Sequence, residues 1–253
     1  MNNINEVIDF YYRSNYATFD VYEKHTDYFA AFSNNIKDVY YNHLAPIGSA
    51  APLKLLKNNN EIFLKKSRKP AICIMPISDF YGKEIKGLKK GPTDVWMRFN
   101  AGRTSPAGVS DFEAGLIDKK NIEDYVSSFQ KSFTGGVYGN LDAAYSVVER
   151  KFFEPDNNFL NLIAMCWYKG HPIGQVRTSL GGDKAFIYAL GIIPEFRAGG
   201  APGKILGDFI IRKCLDNGVK DIYLQTEHKS PLERLYLKFG FEKMFLGDYY
   251  FLD

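Results

Sequence analysis

The segment that decides how the chain is read is Leu190-Gly191-Ile192-Ile193-Pro194-Glu195-Phe196-Arg197-Ala198-Gly199-Gly200-Ala201-Pro202-Gly203-Lys204-Ile205-Leu206. An apolar run ends at Ile193, a turn rich in glycine and proline follows, and apolar residues then recur at Ile205, Leu206, Phe209, Ile210 and Cys214. That spacing of three and four marks one face of a helix, which Asn217-Gly218 then stops. A strand that runs through such a turn into a helix aims several backbone N–H groups at one point near the positive end of the helix dipole. Glycine lets the backbone approach an anion without an intervening Cβ, and Arg197 adds a full charge. Arg197, Ala198, Gly199, Gly200, Ala201 and Gly203 are therefore candidate phosphate-binding residues.

Around this segment the second half of the chain is regularly patterned. Phe112–Ile117 reads as a strand, and residues 119–133 carry Ile122, Tyr125, Val126, Phe129 and Phe133 at helical spacing. A second helix is expected from Leu141 to Phe152. Strands follow at 159–167, 172–180 and 185–193, joined by the hairpin turns Lys169-Gly170-His171-Pro172 and Gly181-Gly182-Asp183, so this part of the sheet is antiparallel. Val219–Gln225 is a strand reached through a helix, which predicts parallel pairing with the strand ending at Ile193. Gly191 is a candidate bulge that splays these two strands, and equally a site of tight packing. Pro231–Phe239 is a short helix stopped by Gly240, and one or two strands close the chain within 241–251.

The first half is less regular. Asn34 is a candidate cap for a helix with Ile36, Val39, Tyr40, His43 and Leu44 on one face. Residues 61–66 and 71–75 flank Ser67-Arg68-Lys69-Pro70 and read as a hairpin, and 94–99 reads as another strand. The Gly- and Pro-containing stretch Asn100–Gly108 is the expected boundary between an N-terminal α/β domain, 1–105, and a C-terminal domain, 110–253.

Composition removes several classes of function. The 253 residues are 45% hydrophobic and 24% charged, enough apolar surface for a core, and no apolar run approaches the length of a membrane span. The chain begins Met1-Asn2-Asn3-Ile4-Asn5-Glu6, without a basic segment leading into an apolar one, so a cytoplasmic location is expected. A net charge of +3 spread over the chain is too weak to imply nucleic acid or an anionic membrane as partner. Cys73, Cys166 and Cys214 stand singly in apolar stretches, without ligand spacing, and read as buried thiols rather than a metal site.

The strand, turn and helix around Arg197, together with Leu235-Tyr236-Leu237-Lys238-Phe239-Gly240-Phe241 some forty residues on, resemble the GCN5-related N-acetyltransferase (GNAT) family. That family joins an R/Q-x-x-G-x-G/A turn to a later L-Y-x-x-x-G-F segment, and the strand and helix order of residues 112–253 follows it as well. The resemblance implies an α+β GNAT fold, a mixed and mostly antiparallel sheet flanked by helices, in the C-terminal half. It leaves the smaller N-terminal domain as a possible degenerate copy that supplies one wall of an acceptor cleft. It also implies acetyl-CoA as cosubstrate and a primary amine, on a small molecule or a peptide, as acceptor. Pantetheine would pair with the backbone of Ile192 and Ile193 and pyrophosphate would lie on residues 197–203. Tyr236 would protonate the leaving thiolate. Tyr236 also shares a helical face with Leu232, Leu235 and Phe239, so a core aromatic is the competing reading.

Two positions depart from the family pattern. Pro202 occupies the last Gly/Ala position of the turn and has no N–H to offer, although proline suits the first turn of a helix and Gly203 is a neighbouring donor. Lys229 stands seven residues before Tyr236, where the family often has Asn in contact with the coenzyme. For a general base, Glu227 is the stronger candidate and His228 the weaker, both following the strand whose end should face the reaction. A longer acyl donor, or a coenzyme-binding scaffold without activity, are the alternative functions. Ala198–Ile205 also approaches a Walker A loop, but Ala198 replaces its first Gly and Ile205 its Ser/Thr, and antiparallel hairpins precede it.

Overall fold

In the computed structural model, which describes residues 4–100, 111–134 and 141–252, the chain divides into two units that are not consecutive in sequence. The first comprises 1–96, 226–233 and 243–253, and the second 97–225 and 234–242. The boundary expected at Asn100–Gly108 lies, apart from Asn100, outside the described residues. No helix among the described residues is long and apolar enough to cross a membrane.

The first unit opens with α1 (Ile4–Ser14), where Val7, Ile8, Tyr11 and Tyr12 recur at helical spacing and are all buried. Three antiparallel strands follow, β1 (Val21–Lys24), β2 (Tyr28–Phe32) and β3 (Asn42–Pro46). Helices α2 (Pro52–Asn58) and α3 (Asn60–Lys65) cross over to β4 (Ala71–Ile74), which lies parallel to β3. β5 (Lys89–Phe99) and a late strand, β11, complete the order β1-β2-β3-β4-β11-β5, with β11 antiparallel to β4.

Two expectations for this half are corrected. The helix expected after Asn34 is instead a single 3-10 turn at Val39–Tyr41, capped by the Asp38 carboxylate, followed by β3. All five residues of β3 are buried between β2 and β4, so pairing on both edges outweighs the helical spacing of Ile36, Val39 and His43. Its one buried amide is satisfied, since Asn42 accepts from Ser33 N–H and Arg68 Nε and donates to the carbonyls of Ile36 and Asp38. The first arm of the expected hairpin, 61–66, is also not a strand. It lies mostly in α3, where Phe63 alone points fully into the core with Phe32, Leu44 and Ile72, and Leu64 is 62% exposed.

The second unit follows its sequence closely. β6 (Phe112–Leu116), α4 (Ile122–Phe133), α5 (Ala143–Lys151), β7 (Leu160–Tyr168), β8 (His171–Gly181) and β9 (Lys184–Ile192) lead to α6 (Ala201–Asp216). Then come β10 (Asp221–Glu227), α7 (Pro231–Lys238) and β11 (Phe241–Phe251). Strands β6 to β9 are antiparallel neighbours and β10 pairs parallel to β9, as the helical crossover through α6 requires. Lys169 and Gly170 both take positive φ, the signature of the tight β7–β8 hairpin. α4 lies against β8 and β9, and α6 against β6 to β9. Every residue from Ile173 to Leu180 is accordingly buried.

That burial includes charge. Arg177 on β8 meets Glu149 of α5 at 3.2 Å, Tyr125 donates to the same carboxylate at 2.6 Å, and the guanidinium lies 3.3 Å from the ring centre of Phe152 and 4.4 Å from that of Tyr188. The pair holds α5 to the sheet through Arg177 Nε and Nη2, while the buried Nη1 has no hydrogen-bond partner among the described residues and lies in a guanidinium stacked on the two rings. The three cysteines are buried, and burial pushes Cys166 and Cys214 up to about 12, far from a reactive thiolate.

Candidate active site

Strand β9 departs from regular pairing next to the glycine-rich turn. Gly174 and Gln175 of β8 face Ile192 and Gly191, but Arg177 faces Tyr188, so two steps along β8 match three along β9. The extra residue is a β-bulge, and within it Ala189 takes φ +52°, left-handed backbone that a residue with a Cβ seldom adopts. On the opposite edge the parallel ladder with β10 runs from Asp221↔Lys184 to Leu224↔Ile187 and stops where the bulge begins. Residues 188–192 therefore present one backbone edge that β10 does not cover. Of the two readings open for Gly191, bulge or tight packing, the second holds: the left-handed residue of the bulge is Ala189, and a Cβ at Gly191 would lie 2.7 Å from Gln175 Nε2 and 2.8 Å from Ser132 Cβ.

The backbone of Ile193 is engaged within the protein. Its N–H donates to Ile173 O at 2.8 Å and its carbonyl accepts from Phe196 N–H at 2.9 Å. Alternation along a strand then turns the N–H of Ile192 toward the uncovered edge, while Ile192 O accepts from Arg197 Nε at 2.8 Å. Of the two residues expected to meet pantetheine, Ile192 has the backbone direction for it.

A 3-10 turn, Pro194–Phe196, carries the chain from β9 to Arg197. The exposed Arg197 folds its guanidinium back onto the backbone, and besides Ile192 O it binds Ser132 O at the end of α4 at 2.5 Å. It braces the turn as well as charging it. Gly199 and Gly200 then take φ of +75° and +71°, and Gly200 is the N-cap of α6. A Cβ at either glycine would meet nothing within 4 Å, so glycine is needed there for its left-handed backbone and not for space. Ala201, Pro202 and Gly203 form the first turn of α6, with Pro202 buried and without a donor. Among the described residues no protein acceptor takes the N–H of Ala198, Gly199, Ala201 or Gly203, and these groups surround the positive end of a 16-residue helix. Lys204, the lysine of the Walker-like reading, pairs along the helix with Asp208.

Residues 122–241 match the Acetyltransferase (GNAT) family. They form a GNAT domain. The chain is similar in structure to a GCN5-related N-acetyltransferase from Kribbella flavida, with a TM-score of 0.71 at 10% identity over 97% of this chain and 94% of that one. It is also similar to a functionally unknown conserved protein from Staphylococcus epidermidis, TM-score 0.69, 13% identity, over 90% and 91% of the two chains. A tandem GNAT protein from the clavulanic acid biosynthesis pathway matches with TM-score 0.57 and 10% identity, over 88% of this chain and 77% of that one. Matches this broad show that the N-terminal half is GNAT-like too. No curated protein matches the sequence.

Within the GNAT domain, Tyr236 of α7 is 7% exposed and packs edge-on against Phe239 and Phe241, with ring centres 6.3 and 5.8 Å away. Phe239 in turn covers Gly207 of α6, where a Cβ would lie 3.3 Å from its ring. Ile192, the turn from Arg197 to Gly203 and Tyr236 all lie in the second unit, and Phe239, the residue after α7, touches both Tyr236 and α6 at Gly207.

The remaining expected site residues fall in the first unit. Glu227 ends β10 and is exposed, and Tyr40 is raised above the ordinary tyrosine range by its burial and then by the charges of Asp94, Asp38 and Glu227. Lys229 takes φ +62° in the loop before α7. That loop is organised by Glu233, which the sequence reading passed over although Ser230-Pro231-Leu232-Glu233 spells a capping box. Ser230 Oγ accepts from Glu233 N–H at 3.1 Å, and the buried Glu233 carboxylate takes the N–H of Lys229, Lys243, and His228 Nδ1 at 3.0 Å. Burial alone would raise its pKa, but these partners hold it below the ordinary carboxylate value. The second residue passed over is Gln175, a long amide inside an otherwise apolar strand segment, and that placement was the available signal. Among the described residues no group of three or more His, Cys, Asp and Glu side chains is placed to hold a metal ion.

Proposed function

We propose that this GNAT domain transfers an acetyl group from acetyl-CoA to a primary amine carried by a small molecule or a peptide. The family match supports acyl transfer as the class of chemistry. The observation that carries the finer reading is a strand that parts from its parallel neighbour at Ala189 and runs directly into a left-handed Gly199-Gly200 turn at the head of α6. A long thioester with a pyrophosphate at its far end matches that layout. The uncovered edge of β9 suits the pantetheine arm, through Ile192. The N–H groups of Ala198, Gly199, Ala201 and Gly203 suit the pyrophosphate, with the Gly203 donor standing beside the one that Pro202 lacks.

Acetyl-CoA supplies an acyl group already activated as a thioester, so the protein has to position, to stabilise an oxyanion and to move protons. The Ile192 N–H is the candidate oxyanion donor, and Tyr236 the candidate acid for the departing thiolate. An amine with a lysine-like pKa near 10.4 must first lose a proton, at about 4–5 kcal/mol at neutral pH by the rule of 1.36 kcal/mol per unit. Glu227, exposed at the end of β10, is the candidate base. Lys229 remains the candidate for an additional coenzyme contact.

Isothermal titration with acetyl-CoA, CoA and ATP tests this reading, followed by a panel of amines with acetyl- and longer acyl-CoA donors. Binding of acetyl-CoA and CoA but not ATP, weakened by Arg197→Ala, is expected. Absence of CoA binding overturns the proposal. Turnover confined to longer donors overturns its acetyl specificity alone.

A further inference from the structure

One buried side chain ties α4 to the bulge of β9, beside the proposed coenzyme edge. Gln175 lies on β8 with no solvent exposure. Its Oε1 accepts from Ser128 Oγ at 2.7 Å and from Ser132 Oγ at 3.3 Å, both on α4, and its Nε2 donates to Ala189 O at 3.3 Å. Its amide therefore spans from α4 to the one left-handed residue of the β9 bulge. The route is open because residue 191 is glycine, since a Cβ there would lie 2.7 Å from Gln175 Nε2, 2.8 Å from Ser132 Cβ and 2.9 Å from Phe133 Cε2. Ser132 also offers its carbonyl to Arg197, whose Nε binds Ile192 O, so the end of α4 is tied to both the bulge and the glycine-rich turn.

We propose that Gln175 is a positioning residue for the acyl-coenzyme: its amide holds Ala189 in the bulge, and so keeps open the edge of β9 on which the coenzyme docks. The inference rests on the coenzyme reading above. An alanine leaves the left-handed region readily unless its surroundings over-determine it, and backbone outliers of this kind gather at ligand clamps. Gln175 supplies that constraint by drawing the Ala189 carbonyl away from the direction a continued β10 ladder would use. An amide whose oxygen and nitrogen both have partners in a dry interior also fixes one arrangement more firmly than apolar packing does.

The test replaces the whole network by apolar groups of similar shape, Gln175→Leu with Ser128→Ala and Ser132→Ala, so that no buried hydroxyl is orphaned. Carbon-13 shifts of Ala189 read its backbone region in the ligand-free protein, and titration with CoA reads the consequence. The expected result is loss of the left-handed shifts and a CoA dissociation constant about tenfold larger, the order set by the left-handed penalty. Adding Ala189→Gly to the triple variant should restore CoA affinity to within about twofold, because glycine holds this backbone region unaided. A merely structural role for Gln175 predicts no such rescue. Ala189 shifts that stay left-handed in the triple variant, or relaxed shifts with unchanged CoA affinity, overturn the proposal. If the triple variant does not fold, Gln175→Met, which keeps the length of the side chain and loses the amide donor to Ala189, is read in the same way. A wild-type protein that binds no CoA, while Ala189 relaxes in the variant, overturns the coenzyme reading and not the role of Gln175 in holding the bulge.

Discussion

Replacing Gly200 by alanine separates the stability of the turn from its use. Gly200 has φ +71° and ψ 0° at the N-cap of α6, and a Cβ there meets no atom within 4 Å, so no steric clash enters. The cost is that of left-handed backbone for an L-residue, roughly 1–2 kcal/mol. If the turn keeps its shape, this cost falls on global stability and lowers the melting temperature by about 2–8 °C, at roughly 2–4 °C per kcal/mol for a chain of this size. If the turn relaxes instead, the binding-competent form becomes a minor one, and the same energy appears as an apparent CoA affinity about 5–30-fold weaker. Gly218 provides the control, since it lies just beyond the other end of the same helix at φ +79° with nothing within 4 Å of its added Cβ. Gly218→Ala should show the melting shift and bind CoA as the wild type does. Thermal denaturation and titration calorimetry on the two variants give both numbers. A Gly200→Ala variant with both the melting temperature and the CoA affinity of the wild type refutes the reasoning, because the left-handed cost then appears in neither quantity.

Tyr236→Phe keeps the ring packed against Phe239 and Phe241 and removes only the hydroxyl, so stability should change little while turnover falls by about 10²-fold; wild-type turnover across the pH range returns Tyr236 to a packing role. Burial lowers His43 from 6.5 to about 4 against the raising effect of its backbone bonds, so the folded protein keeps it neutral beside Tyr12. Its contribution is complete above pH 6.5 and is lost as the pH falls to about 4, because the unfolded chain takes up the proton first, a loss on the order of 3 kcal/mol. Urea denaturation at several pH values should show a shallower acid slope in His43→Gln, and equal slopes would refute this. Arg177→Met leaves Glu149 charged and buried with only Tyr125 as donor, and should cost roughly 3–5 kcal/mol. Adding Glu149→Leu should recover most of that loss; a double variant no more stable than the single one contradicts the buried-pair account.

Legibility in the sequence followed the range of the interactions. The second unit was readable because its determinants are local: helical spacing in 119–133 and 203–217, glycine-containing turns at 169–172 and 181–183, and a helical crossover that fixes β10 parallel to β9. Residues 36–46 were misread because helical spacing is only a weak preference, and the pairing of β3 with both β2 and β4 prevailed. Residues 61–66 were misread because their β-prone composition gives no sign that Phe63 alone must enter the core.

At the site the same division holds. By itself the sequence determined that a strand enters a glycine-rich turn and a dipole-bearing helix, because positive φ and free N–H groups follow from glycine and from the start of a helix. Only tertiary structure decided that the bulge centres on Ala189, that Arg197 folds back onto Ser132 and Ile192, and that Gln175 joins α4 to β9. Each of these depends on contacts between residues far apart in the chain, where a left-handed alanine or a buried amide is stable only because of partners that no local pattern specifies.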